Sequence, residues 1–232
     1  MSGSVAQVWC ASVTAGAEAA TRDDVLSADE RGRSARLRRA ADRAAFATAW
    51  RLVRNALSAA EPAVSPRDWR FLRSALGRPE VDRPGWARGL HFNLSHTDGL
   101  VACVVARDAR CGVDVERPRP SVPVDRLAGA VLSDRERRDL AGAPPAARQE
   151  LFFRYWTVKE AYLKAIGTGM RFPMTACEFE VGDSRPALRS AAAGPDHRLY
   201  TFRQWTVHRD GLLAVAVRGT AVDVQLCDRV LR

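Results

Sequence analysis

The chain has 232 residues, 47% of them hydrophobic, with 36 basic against 27 acidic side chains and a formal charge of +9. That suffices for one large core or two small ones, and the charge favours anionic partners such as nucleotides, acidic proteins or nucleic acid. No run of about 18 uncharged apolar residues and no basic leader occurs, so neither a spanning helix nor secretion is expected; five cysteines without a CxxC pair fit a reduced, cytoplasmic setting.

In chain order, residues 27–58 lack strong breakers and place Phe46, Trp50, Val53 and Leu57 at helical spacing, with Ser27 as N-cap and Glu30 as its capping-box partner. The spacing predicts a helix interrupted near residue 40, bearing Arg33, Arg36 and Arg43. Gly77-Arg78-Pro79 stands just ahead of a strand. Residues 90–95 and Leu100–Ala106 read as a hairpin across Asp98-Gly99, and 112–116 as a further strand. The prolines of 117–123 suit a connection rather than an element interior. Residues 148–166, closed by Gly167, read as the clearest helix, and 199–207 with Leu212–Val217 as a second hairpin after an Asp-Gly turn.

The chain also repeats itself. Leu26-Ser27 with Glu30-Arg31 returns as Leu132-Ser133 with Glu136-Arg137, 106 residues on, and the same shift carries Phe46, Trp50 and Leu57 onto Phe152, Trp156 and Leu163. The His96–Val105 segment resembles His208–Val217 at a shift of 112. A tandem duplication follows, with halves 1–117 and 118–232 and a functional site expected where they meet.

Asp114 and Glu116 are two residues apart in Gly-Val-Asp-Val-Glu, so on a strand both carboxylates share one face and together suit a hard cation. Trp156, Glu160 and Lys164 share one helix stripe, flanked by Lys159, and these two lysines are the only ones beside 34 arginines. A third carboxylate and an ammonium brought to the strand pair would suit phosphoryl chemistry. Phe92-Asn93-Leu94-Ser95-His96 places a hydroxyl and an imidazole near a turn, open either to phosphate contact or to hairpin capping by Ser95. Two other classes stay open on these features: a nucleic-acid-binding module, from the charge, and a Mg²⁺-dependent phosphohydrolase, from the carboxylates.

Taken together, the early Leu-Ser-x-x-Glu and basic helix, Gly77-Arg78-Pro79, Phe92–His96, Gly112–Glu116 and Trp156–Lys164 followed by Gly167 and Gly169 resemble the Sfp-type 4'-phosphopantetheinyl transferases. The resemblance implies an α+β pseudo-dimer of two similar halves with the active site at their interface. It implies transfer of 4'-phosphopantetheine from coenzyme A to a serine of an apo acyl or peptidyl carrier protein, releasing adenosine 3',5'-bisphosphate. By it, Asp114, Glu116 and Glu160 bind Mg²⁺, Glu160 also being the candidate base; Lys164 contacts the pyrophosphate, with Lys159 beside it; Ser95 and His96 touch the nucleotide phosphates. Arg43, Arg78 and Pro79 lie near the 3'-phosphate and adenine end, and Arg33 and Arg36 belong to the basic helix. Arg78 stands where the family usually has lysine, and Thr97 where serine is common. The carrier is expected to be acidic, with apolar residues near 119–145 as a docking surface. One chain would suffice as a monomer, without nucleic acid or membrane.

Overall fold

The computed structural model of the chain describes residues 5–13, 25–75, 77–168, 171–182, 184–191 and 199–227; Gly169 of the family motif lies outside them. The first part of the chain runs β1 (Val5–Ser12), α1 (Ala28–Ala35), α2 (Ala40–Ala60), β2 (Arg70–Arg73), β3 (Pro79–Arg83), β4 (Leu90–Thr97) and β5 (Leu100–Arg107). The second runs β6 (Cys111–Glu116), α3 (Val124–Val131), α4 (Asp134–Gly142), α5 (Pro145–Ile166), β7 (Cys177–Glu180), β8 (Ala187–Ala191), β9 (Tyr200–Val207), β10 (Gly211–Arg218) and β11 (Asp223–Cys227).

Two of these strands are apolar without alternation. In β5 and β10 every residue but the terminal arginine is buried, as a strand requires when both of its faces are covered. Each is the middle of a sheet: one has the order β11-β1-β5-β4, the other β6-β10-β9. Trp9, Val101, Cys103 and Val105 pack toward α2 with Trp50, Val53 and Leu57. Leu212, Ala214 and Ala216 pack toward α5 with Val158, Ala161 and Tyr162. The other faces meet each other, with Val8, Ala102 and Val104 against Val113, Leu213 and Val215. The result is an α+β stack of helix, sheet, sheet and helix.

The duplication is visible in detail. Ser27 and Ser133 each close a capping box with the glutamate three residues on. Each glutamate then forms a buried ion pair with the following long helix, Glu30 with Arg54 at 3.0 Å and Glu136 with Lys159 at 2.5 Å. The small hairpins β2–β3 and β7–β8 occupy matching places in the two halves. The helix expected at 27–58 does break, between α1 and α2, and α5 ends on Gly167 in the left-handed region, φ +77°.

Three expectations change. Hydrogen bonding assigns β6 to the sheet of β10 and β9, so a division after residue 117 separates that strand from its own sheet, and β11, from the end of the chain, joins the first sheet across any such division. The apolar residues near 119–145 are core: Val124, Val131, Leu132 and Leu140 lie buried against α5 because α3 and α4 turn them inward. The second hairpin turns through His208–Asp210, with Gly211 already laddered to Val207, so its turn has three residues where Asp98-Gly99 has two.

Two consequences are measurable. Lys159→Met leaves the Glu136 carboxylate buried without its cation, and urea unfolding is expected to show a loss of about 3–5 kcal/mol. Gly112 allows β6 to touch α5, since a Cβ there would lie 2.1 Å from the Ala161 carbonyl oxygen. Gly112→Ala must push α5 away and is expected to cost about 1–3 kcal/mol in the same experiment.

Candidate active site

Alternation along β6 decides which residues face the helix. Cys111, Val113 and Val115 point into the layer between the sheets, so Gly112, Asp114 and Glu116 take the opposite face. Gly112 brings the backbone of α5 against the strand, and one stripe of α5 carries Glu160 and Lys164 to the carboxylates. Lys164 Nζ donates to Asp114 Oδ1 at 2.6 Å, to Ser95 Oγ at 3.1 Å and to the Val113 carbonyl at 3.1 Å.

Strand β4 supplies the other side. Its odd-numbered residues reach β6 one after another: Asn93 Oδ1 accepts from the Val113 N–H at 2.9 Å, Ser95 donates to Asp114 Oδ1 at 2.8 Å, and Thr97 donates to Glu116 Oε2 at 3.0 Å. Phe92 and Leu94 pack on the α2 side, and His96, of the same parity, is exposed on the rim of a groove. Adjacent strand residues point to opposite faces, so Ser95 and His96 do not act together. Ser95 is buried behind Asp114 as part of its support, in neither of the roles foreseen for it, and only His96 is free to meet a ligand.

The groove has a volume of about 1510 Å³ and runs between α2, β4, β6 and α5. Arg33, Arg73, Arg119, Lys164 and Arg171 line it, with Glu116, Thr97 and Pro79. Pockets for drug-sized ligands span about 300–1,000 Å³, so this one suits a longer, extended and anionic molecule.

Arg78 also borders the groove, yet its guanidinium is turned to the protein. It donates to the carbonyls of Lys164 at 2.8 Å, Phe92 at 2.9 Å and Cys111 at 2.8 Å, tying α5, β4 and β6 together. Arg33 stacks on Phe46 and Trp50, 5.3 and 5.9 Å from the ring centroids. Arg43 donates to the carbonyls of Leu37 and Arg38, and neither it nor Arg36 borders the groove. Lys159 does not belong to the site. It is adjacent to Glu160, hence about 100° round the helix, and fully buried among Glu136 and the carbonyls of Val131 and Met174. Arg73, Arg119 and Arg171 escaped prediction because nothing distinguishes them among 34 arginines until the fold gathers them.

Burial, then the charge of Asp114, raises the carboxyl groups of both Glu116 and Glu160 above their ordinary range, while Lys164 opposes the rise in each. Asp114 itself is 4% exposed, and its Oδ2 is buried with no hydrogen-bond partner. An orphaned carboxylate oxygen beside two carboxyls strained by negative charge fits a cation. Among the described residues no cluster of three or more His, Cys, Asp or Glu is already gathered to hold a metal.

Over residues 110–218 the chain matches the 4'-phosphopantetheinyl transferase superfamily. Those residues run from just before β6 to the end of β10, one sheet with its helices. The chain is 37% identical over 169 residues to the 4'-phosphopantetheinyl transferase HetI of Nostoc sp., covering 72% of this chain and 70% of that one. It is 28% identical over 219 residues to a phosphopantetheinyl transferase of Thraustochytrium sp., covering 88% and 74%. With the 4'-phosphopantetheinyl transferase psf-1 of Bacillus pumilus it shares 30% over 168 residues, covering 69% and 67%.

The raised carboxyls carry a sign. Both favour the fold when protonated; that contribution is complete below the ordinary value of 4.5 and is lost as pH climbs through the raised values. Asp114→Asn removes the charge that raises them. NMR titration of the glutamate side-chain carboxyls should then show Glu116 and Glu160 both falling toward 4.5.

Proposed function

The chain belongs to the 4'-phosphopantetheinyl transferase superfamily, and from that premise we propose how its groove and carboxylates carry out the transfer. It moves the 4'-phosphopantetheine group of coenzyme A to a carrier protein. The finer reading is that a serine hydroxyl of an apo acyl or peptidyl carrier attacks the β-phosphorus and adenosine 3',5'-bisphosphate leaves. The observation that carries this reading is the buried, half-satisfied Asp114, held by Lys164, which lines an arginine-rich groove together with Glu116.

In this reading coenzyme A lies along the groove, its phosphates among Arg33, Arg73, Arg119 and Arg171, with His96 at the rim. Asp114 and Glu116 would hold Mg²⁺, which when bound neutralises charge on the pyrophosphate. Lys164 has donated to three acceptors, matching its three protons, so its role is to orient Asp114 and lend positive charge to the groove wall rather than to grip a phosphate. Glu160 takes the serine proton; burial raises its pKa, and a stronger base suits that step. Glu160 also completes the carboxylate set around the cation. Arg78 acts through the backbone it clamps.

The positive charge of the chain suits an acidic carrier. No helix among the described residues is long and apolar enough to cross a membrane, and a monomer acting in the cytoplasm completes the proposal.

The test is the intact mass of an apo carrier domain incubated with the protein, coenzyme A and Mg²⁺. One added phosphopantetheine is expected, lost with a chelator; no addition to acyl and peptidyl carriers alike would overturn the reading. Glu160→Gln should reduce transfer by about 100-fold or more, the range of a lost general base. Calorimetric Mg²⁺ binding in that variant separates the two roles of Glu160, since retained binding leaves only the base.

A further inference from the structure

We propose that Thr97 is a positioning residue that holds the Glu116 carboxylate in its cation-binding orientation; this rests on the reading of the site given above. The two carboxylates of β6 are secured very differently. Asp114 is buried and takes both Ser95 and Lys164 on one oxygen. Glu116 is the last residue of the strand, only partly buried, and carries a longer side chain. Of the side-chain hydrogen bonds in the site, the one that fixes it comes from Thr97 Oγ1, at 3.0 Å.

Thr97 is itself well held. It closes β4 opposite Leu100, and its branched Cβ restricts χ1, so the hydroxyl has few directions available. The turn that follows is pinned to the end of β6 by Arg117, whose Nη1 donates to the Asp98 carbonyl at 3.0 Å and whose Nε donates to Asp210 at 2.9 Å. A rigid donor thus faces a flexible acceptor, and the restriction passes from Thr97 to Glu116. Groups that orient metal ligands commonly affect affinity by about 10–100-fold when removed.

Thr97→Val keeps shape and branching while deleting the donor; Thr97→Ser keeps the oxygen. Mn²⁺ serves as a paramagnetic probe on the protein alone, its free concentration read by electron paramagnetic resonance. The valine variant is expected to bind Mn²⁺ about 10-fold more weakly or worse, with kcat at saturating coenzyme A lowered at limiting metal. The serine variant should recover most of the affinity, and melting curves of the same samples separate loss of orientation from loss of fold. Unchanged Mn²⁺ affinity in the valine variant, a serine variant as weak as the valine one, or a rise in KM for coenzyme A with metal affinity intact overturns the proposal alone. A parent chain that binds no Mn²⁺ overturns both this proposal and the metal reading beneath it.

Discussion

The site depends on one constraint: among the described residues, one edge of strand β6 is laddered to no other strand. On one side it is laddered to β10; on the other it meets β4, itself the edge of a different sheet, through side chains alone. Buried backbone groups left without partners are costly, so something must satisfy that edge. Asn93 takes the Val113 N–H, Lys164 the Val113 carbonyl, and Arg78 the carbonyl of Cys111. Three separate sequence motifs therefore converge on one strand edge. The same contacts bring Ser95 and Thr97 to Asp114 and Glu116.

This economy changes how the cations are read. Arg78 and Lys164 both border the groove, yet Lys164 gives three hydrogen bonds and Arg78 another three to the protein, which anchors each of them in place. In the proposed reading they contribute as fixed positive charge, which stabilises developing negative charge without reorganisation during reaction. In the same proposed reading, direct contact with an extended anion falls instead to the arginines of the walls and to His96. Ordering the carboxylates before the substrate arrives has an electrostatic cost, visible in the raised Glu116 and Glu160, and a bound cation would relieve it.

Much of this was legible in the residues. The capping boxes at Ser27 and Ser133, the break before α2, the paired hairpins and the Gly167 stop all follow from local chemistry, and local chemistry is what one sequence records. The carboxylate pair on β6 was legible because strand alternation needs no tertiary information. Lys159 was misread because rarity in composition says nothing about direction; its neighbour faces the site and it faces Glu136. The repeat held a better signal, since Glu30 and Glu136 are matched acids that each require a cation from the following helix. Strands β1 and β11 escaped notice because β1 lies inside a sheet, where alternation fades, and because parallel pairing of the chain's two ends leaves no local trace.

A doubled fold raises the question of why there is one carboxylate pair and not two. In the first half, β1 occupies the place that β6 has in the second, but both of its edges are laddered, to β5 and to β11. Its side chains toward the long helix include Trp9 and Ala11, which join the core with α2, where β6 presents Asp114 and Glu116. With β5 paired along one edge of β1 and β11 along Val5–Trp9 of the other, backbone does there much of what Asn93, Arg78 and Lys164 do for β6. In the second half the missing strand leaves an edge that only polar side chains can satisfy, and those side chains make a buried carboxylate pair tolerable. The asymmetry introduced by β11 thus distinguishes the two halves of the repeat, and the carboxylate pair lies on the strand whose edge backbone pairing leaves open.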